Sequence, residues 1–333
     1  MSERRRRYWL LGTLMLVAAC QSQPSTEPGV SREEEREKIA AVRKGTDRSF
    51  GVNFHMFQPG AAEIVETIIA NKEQIRAVSF GRGPDAKMIA RFKDAGILCI
   101  PTVGAVKHAQ KMEQLGVDMV VVQGGEGGGH TGSVPTTVLL PQVLDTVKIP
   151  VIAAGGMADG RGLVAALAYG AVGIAMGTRF LLTKESPAPD NAKAAYLKAG
   201  TDGIVLTTKI DGMPQRMVRT PLVDRIDGST KLGMWLRALE AGAEMKRQTG
   251  ASWLEMIRAA RGMTAHGEMP LAQAMLSAAA PMLIQKAIVH GDIEHGAMAT
   301  GVVGGRIADV PTCQELVDRI VDEARARLAA LGC

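Results

Sequence analysis

Cysteine is scarce and poorly placed for the uses that need several of them. The four in 333 residues, Cys20, Cys99, Cys313 and Cys333, form no CxxC pair, which argues against a disulfide framework and against a structural zinc site. The six histidines include no HExxH, and His290 and His295, five apart, would not share a helix face, so no metal enzyme is indicated. Aromatic residues make up only 4% of the chain. The net charge is +5, but beyond the first seven positions the basic residues are dispersed, so there is no nucleic-acid footprint, although a mildly basic protein suits an anionic ligand. No apolar run is long enough to span a membrane.

What is present is ordinary globular composition, with 46% hydrophobic and 22% charged residues, in a chain long enough for one large or two ordinary domains. Residues 1–20, MSERRRRYWLLGTLMLVAAC, stand apart: a basic cluster, a short apolar run, then V-A-A-C. The run has the size of a signal-peptide core, and Val17-Ala18-Ala19-Cys20 is similar to a bacterial lipobox that would leave Cys20 lipidated. QSQPSTEPG then reads as a tether; the other reading of residues 1–30 is a misassigned start. From Ser31 the segment SREEEREKIAAVRKGT predicts a helix with its charges arranged along the dipole.

Six short apolar runs follow: FGVNF (50–54), AVSFG (77–81), LCIPTV (98–103), MVVVQG (119–124), PVIAAGG (150–156) and VGIAMGT (172–178). Their apolarity is continuous, not alternating, as in parallel strands buried on both faces, and helix-compatible segments lie between them. This βα rhythm fits either a (β/α) barrel or a doubly wound sheet. Beyond Leu182 the pattern turns helical, and TKLGMWLRALEAGAEMKRQ and SWLEMIRAARGM read as a cap over the ligand face. Thr312 caps a final amphipathic helix, PTCQELVDRIVDEARARLAAL.

The stretch QGGEGGGHTG lies just beyond the run MVVV, at a carboxyl strand end where both architectures bind ligands. Glu126 occupies the second glycine position of GxGxxG, so a dinucleotide fingerprint is not supported, and the glycines read as backbone approaching a ligand closely. Histidine is the side-chain type best suited to proton transfer near neutral pH, which makes His130 the acid/base candidate there. Gly155-Gly156 and Gly177-Thr178 end the next two strands and can direct N–H groups and a hydroxyl at one phosphate.

QGGEGGGHTG, VIAAGGMADGRGLVAALAYGA and MGTRFLLTKES resemble the nitronate monooxygenase family of FMN-dependent barrel enzymes, over roughly residues 31–331. The resemblance implies a TIM-type (β/α)8 barrel with a helical cap and FMN as cofactor, with His130 as the catalytic residue beside the flavin. Gly156, Gly177 and Thr178 would surround the phosphate, and Asn53, Gln123 and Gly128 would contact the flavin. Ala175 and Met176 would join them; Ala175 replaces a polar residue often found before MGT, which backbone contact alone tolerates. Small-molecule oxidation is implied, of an alkyl nitronate with O2 or of an acyl-CoA thioester with another electron acceptor. VQGGEGGGHTG, TTKIDGMPQRMVRT and the APML stretch resemble a narrower branch, actinobacterial flavoenzymes acting on steroid ring C/D acyl-CoA intermediates, where a ring hydroxyl would be oxidised. A flavin enoyl-ACP reductase-like enzyme, and a non-catalytic binding protein, are the alternatives.

The six runs correspond to the third through eighth strands of a family barrel, and residues 1–30 stand where the first two are expected. The expected architecture is therefore a barrel lacking its first two strands, with the outer edges of FGVNF and VGIAMGT unpaired. Val302 in GVVGG stands where the family turn usually has Gln. The organisation expected is a signal-like segment at 1–30, a flavin-binding barrel at 31–210, a helical cap at 211–296, and a closing turn and helix at 297–333. Family resemblance places the protein in the cytoplasm, whereas a lipidated Cys20 would anchor it to a membrane. Its oligomeric state stays open, with a homo-oligomer as one form.

Overall fold

The computed structural model describes residues 32–55, 61–81, 85–210, 213–228 and 282–332, with isolated residues between 229 and 281. The signal-like segment, Cys20 and most of the expected cap lie outside these residues. The described residues begin with helix α1 (Arg32–Gly45), whose last turn carries Arg43 and Lys44. Strands and helices then alternate: β1 (Phe50–His55), α2 (Ala61–Ala70), β2 (Ile75–Gly81), α3 (Ala86–Asp94), β3 (Leu98–Cys99), β4 (Thr102–Val103) and α4 (Val106–Gln114). After β5 (Val120–Gln123) come the two-residue strand β6 (Gly129–His130), α5 (Thr136–Thr146), β7 (Val151–Ala154), α6 (Gly160–Tyr169), β8 (Gly173–Ala175) and α7 (Thr178–Leu181).

Pairing order decides between the two architectures left open by the sequence. The ladders run β1-β2-β3 and β4-β5-β7-β8, all parallel. β3 and β4 are two halves of the run LCIPTV, divided at Pro101, which has no N–H to continue a ladder. Ile100 N–H still donates to the Val78 carbonyl at 2.8 Å on one side, and Val121 N–H donates to the Pro101 carbonyl at 2.8 Å on the other. Six strand positions therefore lie side by side in their sequence order. A doubly wound sheet reverses that order midway; a TIM-type barrel does not. Among the described residues β1 pairs only with β2, and β8 only with β7, so each keeps an outer edge without a strand partner.

The strands bury their helix-facing side fully and their inner side in part, in keeping with the unbroken apolar runs. Val78, Phe80, Val120, Val122, Val151 and Ala153 face the helices and are at most 1% exposed. The alternate positions Leu98, Ile100, Val121, Ile152 and Ala175 form a separate apolar cluster on the opposite, inner face. Three of the few aromatic side chains brace β1 and β2 against α3, Phe54 lying 6.2 Å from Phe80 and 6.0 Å from Phe92 between ring centroids.

Beyond the barrel strands, α8 (Asp190–Lys198) leads to an antiparallel pair, β9 (Ile204–Thr207) and β10 (Gln215–Val218), followed by α9 (Pro221–Asp227). β10 also pairs with β6, opposing Gln215 to His130 and Arg216 to Gly129. The stretch expected to begin a helical cap at residue 211 thus contributes a strand first, and the hairpin straddles the 210/211 boundary. Residues 282–288 are helical. A 3-10 turn (Val302–Arg306) precedes the final helix α10 (Cys313–Ala330), whose Thr312 and Glu315 form a capping box.

α10 crosses α6 at Gly160, where a Cβ would lie 2.5 Å from the Ala324 nitrogen and 2.6 Å from the Ile320 carbonyl oxygen. The N-terminus of α6 is filled by carboxylates: Asp159 accepts from the N–H groups of Arg161 at 3.1 Å and Gly162 at 3.2 Å, and Glu323 accepts from Gly160 N–H at 2.9 Å. Burial raises the Asp159 carboxyl, but the hydrogen bonds from Arg161 and Gly162 and the charges of Arg161 and Arg306 outweigh it, leaving the group below its ordinary 3.8.

Two expectations follow from this crossing. Gly160→Ala overpacks it against backbone that cannot move aside and should cost about 1–3 kcal/mol of stability, read as a lower denaturant midpoint with an unchanged slope. A midpoint equal to wild type would show that the helices separate freely. Asp159 has a folded-state value below its unfolded one, so its contribution is present above about pH 4 and is lost as pH falls through the folded value. Asp159→Asn, which keeps a capping side chain, should flatten that part of the acid-stability curve; an unaltered curve would assign the pH dependence elsewhere.

Candidate active site

The site is built on the chain leaving β5. Gly124 N–H continues the ladder to the Ala154 carbonyl at 3.1 Å, and the chain then doubles back, Gly127 N–H donating to the Gly124 carbonyl at 3.0 Å and Gly125 N–H to the Val134 carbonyl at 2.7 Å. Glycine is required here for a different reason from the one its composition suggests. A Cβ on Gly124 would lie 2.1 Å from Thr136 Oγ1, and one on Gly128 would lie 2.6 Å from the Gly301 nitrogen. What approaches this backbone closely is the protein itself: the start of α5 and the 300–301 turn.

Glu126 locks the fold of the loop. Its carboxylate accepts from Thr136 N–H at 2.8 Å, and the Thr136 hydroxyl lies 2.7 Å from the same oxygen and 3.0 Å from the Gly155 carbonyl. An acid at the N-terminus of α5 is favoured by the helix dipole. The Glu126 carbonyl accepts from Val302 N–H at 3.0 Å, and Arg216 Nη2 donates to the Gly125 carbonyl at 2.8 Å. Burial pushes the Arg216 guanidinium down from its ordinary value, and the Glu126 charge pulls it back up.

His130 closes the loop as half of β6, with its side chain exposed. Gln123 Nε2 donates to its carbonyl at 3.1 Å, and Gln215 Nε2 lies 3.1 Å from its ring Nε2. Gly155 and Gly156 follow β7 with φ of +88° and +78°, a conformation that L side chains rarely adopt. A cavity of about 220 Å³ opens beside them, lined by Glu126, Gly156, Thr201, Val302, Val303 and Arg306. Arg306 Nη2 stands 3.2 Å from Asp159 Oδ2. Thr178 Oγ1 accepts from Gly301 N–H at 2.9 Å, which ties the start of α7 to the 300–306 turn. A Cβ on Gly177 would meet nothing within 4 Å, so packing within the protein does not account for a glycine there.

The structure thus gathers Gln123, Gly128 and His130 on one loop, and it places Gly156 on the cavity wall and Thr178 against Gly301 beside it. Ala175 ends β8 opposite Ala154, and Met176 is 3% exposed with its side chain in the main core. Asn53 sits exposed on β1 opposite Ser79, separated from β5 by two strand positions. Sequence reasoning missed Gln215, Arg216 and Arg306. For the first two, Asp211-Gly212 marks a turn between IVLT and QRMV, but residues 208–214 are too long a connection for a tight hairpin turn and QRMV shows no clean alternation; for Arg306 a single exposed arginine after GVVGG carries no signal at all.

The nitronate monooxygenase family matches residues 12–323 of this chain. That span begins upstream of Ser31, inside the segment read as signal-like. A Mycobacterium tuberculosis protein named (3aS,4S,5R,7aS)-5-hydroxy-7a-methyl-1-oxo-octahydro-1H-indene-4-carboxyl-CoA dehydrogenase is 46% identical over 293 residues, covering 87% of this chain and 82% of that protein. A Rhodococcus jostii protein of the same name is 44% identical over 294 residues, covering 88% and 83%. Among solved structures, FabK from Thermotoga maritima is 30% identical with a TM-score of 0.72, covering 96% of this chain and 91% of that one. No helix among the described residues is long and apolar enough to cross a membrane. With the family's span covering nearly the whole chain, this protein belongs to the nitronate monooxygenase family and is an oxidoreductase.

Proposed function

We propose that the protein is an FMN-dependent dehydrogenase that oxidises a ring hydroxyl of a steroid-derived hydroxyacyl-CoA. The observation that carries this reading is the likeness, at 46% and 44% identity along more than four-fifths of each relative, to two proteins named as dehydrogenases of such a thioester. Oxidation of an alkyl nitronate with O2 is the second reading, and the family match favours it.

FMN fits the residues present. The opening beside Gly177, the left-handed pair Gly155-Gly156 and the cationic Arg306 on the cavity wall suit an anionic group approaching backbone. Gly156, Gly177, Thr178 and Arg306 would hold its phosphate, and Gln123, Gly128 and the backbone of Ala175 and Met176 would lie along the rest, with Asn53 as a contact from β1. Bound FMN would supply a hydride acceptor. The chain itself supplies the proton chemistry. His130, exposed at the loop's end and held by Gln123 and Gln215, takes the proton of the substrate hydroxyl. Glu126 keeps the loop closed and Arg216 fixes the Gly125 carbonyl, so the imidazole is presented from a rigid support.

His130→Asn should bind flavin as wild type does and lose about 10²–10⁴-fold in turnover. Anaerobic bleaching of the flavin by a hydroxyacyl-CoA, and not by a nitronate, is the outcome expected for the dehydrogenase; the reverse pattern would establish the second reading. Wild-type turnover in His130→Asn would remove His130 from the chemistry. Gly156→Val should strain the left-handed turn and press on Glu126 at the cavity wall, and Thr178→Ala and Arg306→Ala should each remove a polar partner, weakening FMN binding roughly tenfold or more by equilibrium titration. Unchanged affinity in all three would move the phosphate elsewhere.

A further inference from the structure

Arg179 directly follows Thr178, yet its side chain is only 3% exposed and does not line the cavity. Its Nη1 lies 3.2 Å from Asp309 Oδ1, and Nη2 donates to the Asp309 carbonyl at 3.1 Å and to the Leu182 carbonyl at 3.3 Å. Nε is buried and meets no acceptor among the described residues. Burial pushes the guanidinium below its ordinary value, against the pull of the Asp309 charge. Stability does not account for such a residue, because apolar side chains of the same volume often match or exceed a buried ion pair, and an unsatisfied donor adds to the cost. What the arginine does hold is position. Asp309 is also held from α10, where Arg319 Nη1 lies 2.6 Å from Oδ2, so α7, α10 and the segment between the 300–306 turn and α10 meet at one carboxylate.

This contact is one of several that tie residues 178–185 to residues 301–313. Thr178 Oγ1 accepts from Gly301 N–H at 2.9 Å, Lys184 N–H donates to the Pro311 carbonyl at 2.9 Å, and Cys313 N–H donates to the Glu185 carboxylate at 2.9 Å. The 3-10 turn packs over Thr178 so closely that a Cβ on Gly304 would lie 3.3 Å from its methyl group. A threonine hydroxyl has a single hydrogen, and with Gly301 N–H donating to the oxygen, that hydrogen is left to be given to an acceptor. A bound anion needs such a donor. We propose that Arg179, acting through Asp309, is a positioning residue that clamps residues 301–309 onto the start of α7, so that Thr178 and the 300–306 turn present one fixed surface to the phosphate of bound flavin. This rests on the reading of FMN as cofactor with its phosphate at Thr178. Arg179 then governs the phosphate end of the flavin and leaves the ring end unaffected.

Equilibrium titration of the full chain with FMN and with riboflavin, which lacks the phosphate, separates the two ends. Wild type should bind FMN more tightly than riboflavin, and Thr178→Ala should reduce that preference. Arg179→Met, apolar and of similar length, should lower FMN affinity about tenfold, leave riboflavin affinity unchanged and keep a near-wild-type denaturant midpoint. Asp309→Asn should reduce the preference in the same way, and the double variant should be no worse than either single one, because both act through one contact. Equal losses for the two ligands, unchanged FMN affinity, or additive losses in the double variant would each overturn the clamp. Should Arg179→Met not fold, Asp309→Asn decides alone, since its side chain is 46% exposed and tolerates the change. A wild type without preference for FMN, or a Thr178→Ala variant that keeps the preference, would defeat the phosphate reading itself and the clamp with it. A failed clamp beside an effective Thr178→Ala would leave that reading standing.

Discussion

The site depends on the absence of a side chain at Gly124. Only with bare backbone there can the chain leave β5, turn within three residues and set Glu126 against the start of α5, because Thr136 occupies the space a Cβ would need. Once Glu126 is fixed, its carbonyl takes the Val302 N–H and its charge faces Arg216, so the 300–306 turn and β10 are docked onto the same loop. His130 inherits its position from this chain of contacts. A loop that would otherwise carry the full entropy of five nearby glycines is ordered by groups outside it.

This also shows where the sequence was legible and where it was not. The six apolar runs match six strands, because continuous apolarity between helical segments leaves little choice when both faces must be buried. Their order in space is a tertiary fact, and no local pattern separates a barrel from a doubly wound sheet. The glycine loop is legible as a loop at a strand end, but its glycines serve packing within the protein at Gly124 and Gly128, since composition records only that something comes close. β10 escaped notice for a physical reason. It is four residues long, and its residues Gln215, Met217 and Val218 are buried while Arg216 is half-buried, so it shows neither clean alternation nor an apolar run.

The crossing of α6 and α10 lies at the same carboxyl strand end as the glycine loop, because α6 follows directly from Gly155-Gly156 after β7. At α6 and α10 the contacts are close and self-satisfied: a glycine without room for a methyl group, a capping box at Thr312, and carboxylates filling the N-terminus of α6. That last feature constrains the chemistry. A helix N-terminus after a Gly-Gly strand end is an obvious anion site, yet Asp159 and Glu323 already occupy the first N–H groups of α6. Under the proposed reading, a phosphate would be met instead by the turn before the helix and by the segments around Gly177 and the 300–306 turn.

Arg306 joins the cavity to this crossing. It lines the cavity beside Gly156 and also pairs with Asp159, the carboxylate that caps α6. An arginine half-exposed to solvent gains little from such a pair alone, since exposed ion pairs contribute ~0–1 kcal/mol. Its position makes better sense as a shared cation. With an anion in the cavity, Arg306 is held between two negative groups, each limiting the motion of the side chain toward the other, and the guanidinium fork has enough donors for both. Without one, Asp159 keeps the side chain in place and reduces the entropy that binding would have to remove. The same carboxylate that denies the helix N-terminus to an anion therefore holds ready the cation that replaces it.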